Sequence, residues 1–154
     1  MKLKGWKSGQ RGTAAVELAI ALPFLLFLLL AIGEVGRAII QYNELTKATR
    51  DAARYLANHA AVGSTDVIDI DAELDRTTRE LLVYGKPLAG TTPLLPGLDI
   101  SDVTIVVVDD VHVRVDVDYD YAPTIGGVTM PMFGTGPTFD IAIPLRASVA
   151  MRAL

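Results

Sequence analysis

The feature that most constrains this chain is an apolar run from Thr13 to Gly33. Its 21 residues carry one ionisable side chain, that of Glu17. As an α-helix the run would extend about 31 Å, which is close to the hydrocarbon thickness of a bilayer. The sequence therefore predicts a transmembrane helix over residues 13–33. Because this apolar core is longer than the roughly 7–15 residues of a secretory signal, we expect the helix to be retained.

Charge is distributed unevenly along the chain. Four of the 14 basic residues lie in the first eleven positions: Lys2, Lys4, Lys7 and Arg11. This excess before the apolar run predicts a cytoplasmic N-terminus and an exported remainder. After Gly12 there are ten basic and eighteen acidic side chains, so this part should repel nucleic acid. The absence of cysteine excludes disulfides, thiolate nucleophiles and cysteine-based metal sites.

Glu17 is unusual because it lies inside the apolar run. An acidic side chain deep in a membrane helix costs about 2.5–3.5 kcal/mol, and such a group usually faces protein. On a helix, Ala14, Glu17 and Ala21 share one stripe, where small residues let a second helix approach closely. The stripe predicts a helix–helix contact. The alternative is an interfacial glutamate without a role.

Pro23 lies within the same run. It removes one amide donor and should loosen the backbone bond to the carbonyl of Ala19, giving a kink that neighbouring protein accommodates. The alternative is an ordinary transmembrane proline, which is common in membrane helices.

The residues around Gly12 resemble a known processing signal. A short basic leader ends in "SGQRG", and "TAAVE" follows with Glu17 as the fifth residue beyond the glycine. This arrangement is similar to that of type IV pilins and pseudopilins. Over Arg11 to Ala57 the resemblance narrows to the TadE-like proteins of the tight-adherence (Flp) pilus system. Pro23, the "GEVGR" of residues 33–37 and the alanine-rich "ATRDAARYLA" carry this resemblance.

The resemblance implies a role in building a fibre. A prepilin peptidase would cleave between Gly12 and Thr13, and the new amine of Thr13 would pair with Glu17 of a neighbouring subunit. The implied partners are other pilins and pseudopilins, the inner-membrane assembly platform and the lipid bilayer. The implied location is the bacterial inner membrane, with the head exported and possible passage into an extracellular pilus.

The exported part is predicted to begin with two helices. Apolar positions recur every three or four residues at Val35, Ile39, Tyr42, Leu45, Thr49, Ala52 and Leu56. Gly63 should end this first helix. Ser64, Thr65 or Asp66 should cap a second helix that ends at Gly85. The second helix would carry the apolar residues Ile70, Leu74, Leu81 and Leu82.

Strands are predicted after a proline-rich loop. The segment "DVTIVVVD" is one continuous apolar run, and the next alternates valines and tyrosines at 111–121 with His112, Arg114 and three aspartates. In the last segment Pro144 favours an edge position or a bulge. Together these elements predict an α+β, pilin-like fold with a three-stranded antiparallel sheet. The predicted divisions are a leader 1–12, a membrane helix 13–33, a helical region 34–85, a loop 86–98 and a β head 99–154.

The head offers few signs of catalysis. Asp116, Asp118 and Asp120 suggest a hard-cation site, but strand spacing separates them, so a solvated face with Arg114 or Arg146 as cross-strand partners is favoured. His59 and His112 fall in no metal or nucleophile motif and are expected at the surface. Ser64 and Ser148 lack nucleophile-elbow surroundings. We therefore expect no cofactor, no metal and no enzyme activity. Met130, Met132 and Phe133 suggest either a soft partner-binding loop or a cover over the sheet.

Two functions remain open at this point. The first is a membrane-anchored pseudopilin or minor pilin that takes part in assembling a tight-adherence pilus for surface attachment. The second is a permanently anchored envelope module whose β head recruits a protein partner or a cation. They differ in whether the leader is removed after Gly12.

Overall fold

The computed structural model describes residues 9–61, 68–87, 90–124 and 143–153. The chain divides into two compact units, Met1–Gly36 and Arg37–Leu154. The predicted α+β fold is confirmed: one long N-terminal apolar helix, one short helix and a three-stranded antiparallel sheet. The elements are α1 (Gly9–His59), α2 (Ala72–Tyr84), a 3-10 turn (Ile100–Asp102), β1 (Val103–Asp109), β2 (His112–Tyr121) and β3 (Ile143–Arg152).

The first unit presents an uncovered apolar helix. Every residue from 12 to 30 is exposed, including large side chains such as Phe24 at 64% and Leu29 at 65%. Among the described residues, α1 is the one helix long and apolar enough to cross a membrane, and its most apolar window has a mean hydropathy of 2.6. The predicted apolar span is therefore helical throughout, with its side chains turned outward.

The second unit begins with the part of α1 that follows Gly36, which buries one face. That face belongs to the hydrophobic core and contains Ala38, Leu45, Ala48, Ala52, Ala53, Leu56 and Ala57. Thr49 is also buried, and its hydroxyl donates to the carbonyl of Leu45 at 2.7 Å, so no polar group is left unpaired there. The predicted periodicity is thus matched by burial from Leu45 onward.

The apolar positions at the start of this periodic stripe are exposed, and here the prediction is wrong. Val35, Ile39 and Tyr42 were expected on the apolar face of an amphipathic stalk, yet they are 57%, 55% and 44% exposed. A periodic apolar stripe requires a partner surface before it can be buried. No element of the described chain covers these three side chains.

Helix α2 begins later than the sequence indicated. Its cap is Asp71, whose Oδ1 accepts from the backbone N–H of Leu74 at 2.7 Å, and not Ser64, Thr65 or Asp66, which lie outside the described residues. Ile70 therefore precedes the helix instead of belonging to it. The end is as predicted. Gly85 adopts φ 70°, in the left-handed region that favours glycine, and its N–H donates to the carbonyl of Leu81.

The sheet has the order β1-β2-β3, and both pairs are antiparallel. Val115 in the central strand lies between Ile105 of β1 and Val149 of β3. Alternate residues of β2 are buried, as the sequence predicts for positions 113–121: Val113, Val115, Val117, Tyr119 and Tyr121. The opposite face of β2 carries the half-buried or exposed polar residues. The sheet therefore has one face in the core and one face towards solvent.

Pro144 lies on β3, an edge strand, as predicted. The N–H of Ala153 donates to the carbonyl of Val111, which extends the ladder between β2 and β3. Backbone groups alternate in direction along a strand, so the residues of β3 that share the parity of Ala153 face β2, and Pro144 faces outward. Its missing N–H therefore removes no hydrogen bond from the sheet.

The segment before the sheet contributes to the core. Leu95 and Leu98 are buried, and the N–H of Leu94 donates to the carbonyl of Val83 at 2.8 Å. The hydroxyl of Tyr119 donates to the carbonyl of Pro96 at 2.8 Å and lies 3.2 Å from the side-chain amide oxygen of Gln41. The loop is thus fixed to both the sheet and α1.

Candidate functional site

The predicted assembly and processing residues all lie in α1. At 100° per residue, Glu17 and Ala21 fall within about 60° of Ala14, so the three residues occupy one stripe of the helix surface. All three are exposed. Thr13 lies one helical turn before Glu17 and is close to the same stripe. The structure therefore brings these residues together on a surface that the described chain leaves uncovered.

Glu17 has apolar neighbours along the helix. Val16 is 60% exposed and Leu18 is 57% exposed, and the next acidic residue of α1 is Glu34. In water such a carboxylate is well solvated, but in a membrane its charge would be expensive without a cationic partner. The arrangement suits an electrostatic contact made by a second polypeptide.

Gly12 is a helical residue in an open position. A Cβ added there would meet no atom within 4 Å. In a helix interior glycine is less favourable than alanine by about 0.8–1.0 kcal/mol. Packing within the described chain therefore gives no reason for glycine at this position. Gly36 is equally open.

Pro23 lies inside α1, which is helical on both sides of it. Because proline has no N–H, the carbonyl of Ala19 lacks its usual helical donor. The predicted kink remains a prediction.

The acidic face of the sheet is compensated by neighbouring basic and hydroxyl groups. Arg146 Nη2 lies 3.0 Å from Asp118 Oδ2, across the β2–β3 pair, which confirms one predicted cross-strand partner. Arg114 instead pairs along its own strand, with Nε 2.9 Å from Asp116. The hydroxyl of Ser148 also donates to Asp116, at 2.5 Å. An open groove of about 420 Å³ is lined by Asp116, Asp118, Arg146 and Ser148 among others.

These carboxylates do not converge on a cation site. Asp116, Asp118 and Asp120 are separated along β2, and two of them already have partners. In the described ranges no group of three or more His, Cys, Asp or Glu side chains could hold a metal ion. This face of the sheet is therefore an acidic surface whose charge is partly neutralised by Arg114 and Arg146.

The two histidines have separate local partners. His59 is exposed, stacks on the ring of Tyr55 at 4.3 Å between centroids and lies 2.8 Å from the carbonyl of Tyr55. His112 is half-buried, and its Nδ1 lies 2.9 Å from Asp109. Asp109 also accepts from the backbone N–H groups of Val111 and His112. The pKa of Asp109 is lowered, and the hydrogen bond from the backbone N–H of Val111 is the main cause. This cluster closes the β1–β2 turn.

Comparison with known proteins found a match in the N-terminal region. Residues 12–54 match the family model of the TadE-like proteins. This chain is TadE-like in its N-terminal helix. The resemblance predicted from Gly12, Glu17, Pro23 and the "GEVGR" segment is thereby confirmed. Searches of curated proteins and of solved structures gave no significant match.

The TadE-like segment ends inside α1, so it includes the uncovered stripe and most of the helix face that packs in the core. It does not include the sheet. Residues 125–142 lie outside the described residues, and with them Met130, Met132 and Phe133, for which the sequence suggests either a partner-binding loop or a cover over the sheet. Both alternatives remain predictions.

The sequence does not predict the long-range contacts of two residues, Arg79 and Tyr119. Arg79 Nε lies 2.8 Å from Asp75, and its Nη1 donates to the carbonyl of Val103, which joins α2 to the first strand. Tyr119 fastens the loop before the sheet. An arginine on a polar helix face and a tyrosine in an alternating strand give no local signal of such long-range contacts. The fold alone reveals them.

Proposed function

We propose that this chain is a membrane-anchored pseudopilin or minor pilin that takes part in assembly of a tight-adherence (Flp) pilus. Its role is structural and not catalytic. The chain would be held in the cytoplasmic membrane by the apolar part of α1, with the N-terminus in the cytoplasm and Arg37–Leu154 exported. Its partners would be other pilins and pseudopilins, a prepilin peptidase and the assembly platform in the membrane.

The observation that carries this proposal is the coincidence of the TadE-like match with the uncovered part of α1. The match over residues 12–54 begins at Gly12 and takes in the stripe of Ala14, Glu17 and Ala21. Every residue of the helix from 12 to 30 is exposed, so the segment retains its whole apolar surface for lipid or for other helices. Apolar helices associate in lipid through small residues and polar groups, which this stripe combines.

The proposed contact is electrostatic. Cleavage after Gly12 would make Thr13 the first residue, and an α-amine with a reference pKa of about 7.7–8.0 is mostly cationic at neutral pH. In a bilayer the Glu17 carboxylate of one subunit would gain a counter-charge when the amine of the next subunit arrives. Since an unpaired charge in lipid is costly, joining would be favoured in one axial register.

Processing is tested by N-terminal sequencing of the protein purified from cells that contain the peptidase. We expect the purified chain to begin at Thr13. Gly12→Ala should block this cleavage, whereas Gly36→Ala is a matched control, since both glycines are helical and open to solvent. A wild-type chain that begins at Met1 would contradict the proposal and favour a permanently anchored envelope module.

Incorporation is tested by mass spectrometry of sheared filaments beside the membranes from which they came. We expect peptides of Arg37–Leu154 in the filament fraction, or their enrichment with the assembly platform. Recovery of the protein only as a free membrane species, in cells that make pili, would contradict a role in assembly.

A further inference from the structure

The two edges of the sheet differ in chemistry. The edge strand β3 carries Pro144, Arg146 and Arg152, and proline and basic side chains are devices that discourage pairing with another strand. The other edge strand, β1, has no charged residue, proline or glycine between Val103 and Val108. Val107 and Val108 are each 49% exposed. The β1 edge thus lacks the protection that the β3 edge has.

The direction of the backbone groups along β1 follows from Arg79. Its guanidinium donates to the carbonyl of Val103, and the N–H of Val103 donates to Ile100, so Val103 faces away from β2. By alternation, Ile105 and Val107 face the same way. In the part of the chain that the structure describes, the outward N–H and carbonyl groups of Ile105 and Val107 have no hydrogen-bond partner. Four backbone groups are therefore available at this edge.

The ends of β1 are acidic. Asp99 and Asp102 precede the strand, Asp109 is its last residue and Asp110 follows it. A second copy of β1 paired antiparallel, with Ile105 opposite Val107, would bring Asp102 of one chain opposite Asp110 of the other, and a parallel copy would align identical aspartates. Like charges directly opposite each other destabilise strand pairing. A strand flanked by basic residues would instead meet a complementary charge at each end.

We propose that the β1 edge binds an extended segment of a different protein, one with β-branched residues in its centre and lysine or arginine at its ends. The segment adds a fourth strand by hydrogen bonding to Ile105 and Val107, while its apolar side chains cover Val107 and Val108. Main-chain bonds supply affinity in this mode of recognition, and the acidic flanks select the partner. The site lies in the β head and does not depend on incorporation into a pilus.

The probe is a fluorescent peptide of alternating valine and threonine with two lysines at each end, added to the detergent-solubilised full chain. We expect the anisotropy of the peptide to rise on binding. Hydrogen exchange at the amides of Ile105 and Val107 should slow at the same time. A peptide with glutamates in place of the lysines should bind at least about tenfold more weakly, because it meets the aspartates with like charge.

Two matched variants separate the β1 edge from the rest of the sheet. Val107→Pro removes an outward N–H from β1 and should weaken binding by about tenfold, the effect of one lost hydrogen bond. Ala150→Pro removes an outward N–H from β3 and should leave binding unchanged. Circular dichroism identifies any variant that fails to fold. In that case hydrogen exchange at Ile105 and Val107 of the unsubstituted chain still tests the proposal, because it requires no variant.

Several results would overturn the proposal. One is no binding of the lysine-flanked peptide; another is equal binding of the glutamate-flanked one. Protection of the Ile105 and Val107 amides in the free chain would show that its own residues already cover the edge. Protection that increases with protein concentration would show that a second copy occupies it.

Discussion

The two parts of α1 show how one apolar helix can serve two purposes. Before Gly36 the helix carries large side chains such as Phe24 and Leu29, and all positions from 12 to 30 are exposed. After Arg37 its apolar face is built mainly of alanine, and that face is buried in the core. Bulky residues spread around the whole circumference suit lipid or other helices. Small residues on one side suit close packing within the head.

The difference teaches that hydrophobicity alone does not identify a core. The more apolar part of the helix contributes no buried residue between 12 and 30, whereas the less apolar part contributes Leu45 and Leu56, both fully buried. What distinguishes the two parts is periodicity together with a sheet to pack against. The uncovered part therefore points to a contact outside this chain.

The largest expected effect is on the stability of the buried part of α1. Leu56→Ala should lower the free energy of unfolding of Arg37–Leu154 by about 2–5 kcal/mol, because it removes a fully buried side chain and leaves a cavity. Leu29→Ala, the matched change in the uncovered part, should alter it by less than about 0.5 kcal/mol. Chemical denaturation of the detergent-solubilised protein, monitored by tyrosine fluorescence, measures both. Equal losses of unfolding free energy in the two variants would contradict the division of α1 into a buried and an uncovered part.

A smaller effect is expected at Tyr119. Tyr119→Phe removes the hydroxyl that donates to the carbonyl of Pro96, and should cost about 1–2 kcal/mol because that carbonyl is left without its partner. The loop before the sheet should then exchange its amide protons faster. An unchanged unfolding midpoint would indicate that the loop is held by Leu95 and Leu98 alone.

The same tyrosine gives a pH dependence. Burial, and secondarily the charge of Asp102, raise the pKa of Tyr119 above its usual value of about 10. The folded state therefore favours the neutral phenol. The associated stability is fully present below pH 10 and is lost as pH rises through the higher folded pKa. Tyr119→Phe should lack this alkaline component when denaturation curves measured below and above pH 10 are compared.

The smallest effect is expected on the solvent face of the sheet. The ion pair of Asp118 with Arg146 is exposed on both sides, so Asp118→Asn should change the free energy of unfolding by less than about 0.5 kcal/mol. Thermal unfolding at low and high salt measures it. A loss comparable to that of Tyr119→Phe would mean that this face is part of a tighter network than its exposure indicates.

Most of the fold could be predicted from the sequence because its signals are periodic. The alternation over β2 fixes which of its side chains enter the core, and the three-to-four spacing around Leu45 and Leu56 fixes the buried face of α1. The sequence predicts the cap of α2 at positions 64–66 and the structure has it at Asp71, because both places offer good capping residues. Local capping chemistry does not decide between two such candidates.

The site could be predicted only in part. Gly12 and Glu17 stand out because glycine in a helix and an acid in an apolar run both oppose local preference. The outward edge of β1 could not be predicted, since the direction of its backbone groups is set by the pairing with β2 and is revealed by the contact of Val103 with Arg79, which is 24 residues earlier in the chain. Long-range contacts of this kind produce no periodic pattern in the sequence.

The most direct test of the central claim is the amount of a Glu17→Gln chain in sheared pili, measured by quantitative mass spectrometry against Glu44→Gln. Both variants neutralise one carboxylate of α1 with little change in size, but Glu44 lies beyond the apolar run. We expect Glu17→Gln to insert into the membrane and be absent from the filament fraction, with Glu44→Gln at the unsubstituted level. Filaments that contain Glu17→Gln at the unsubstituted level would contradict the account.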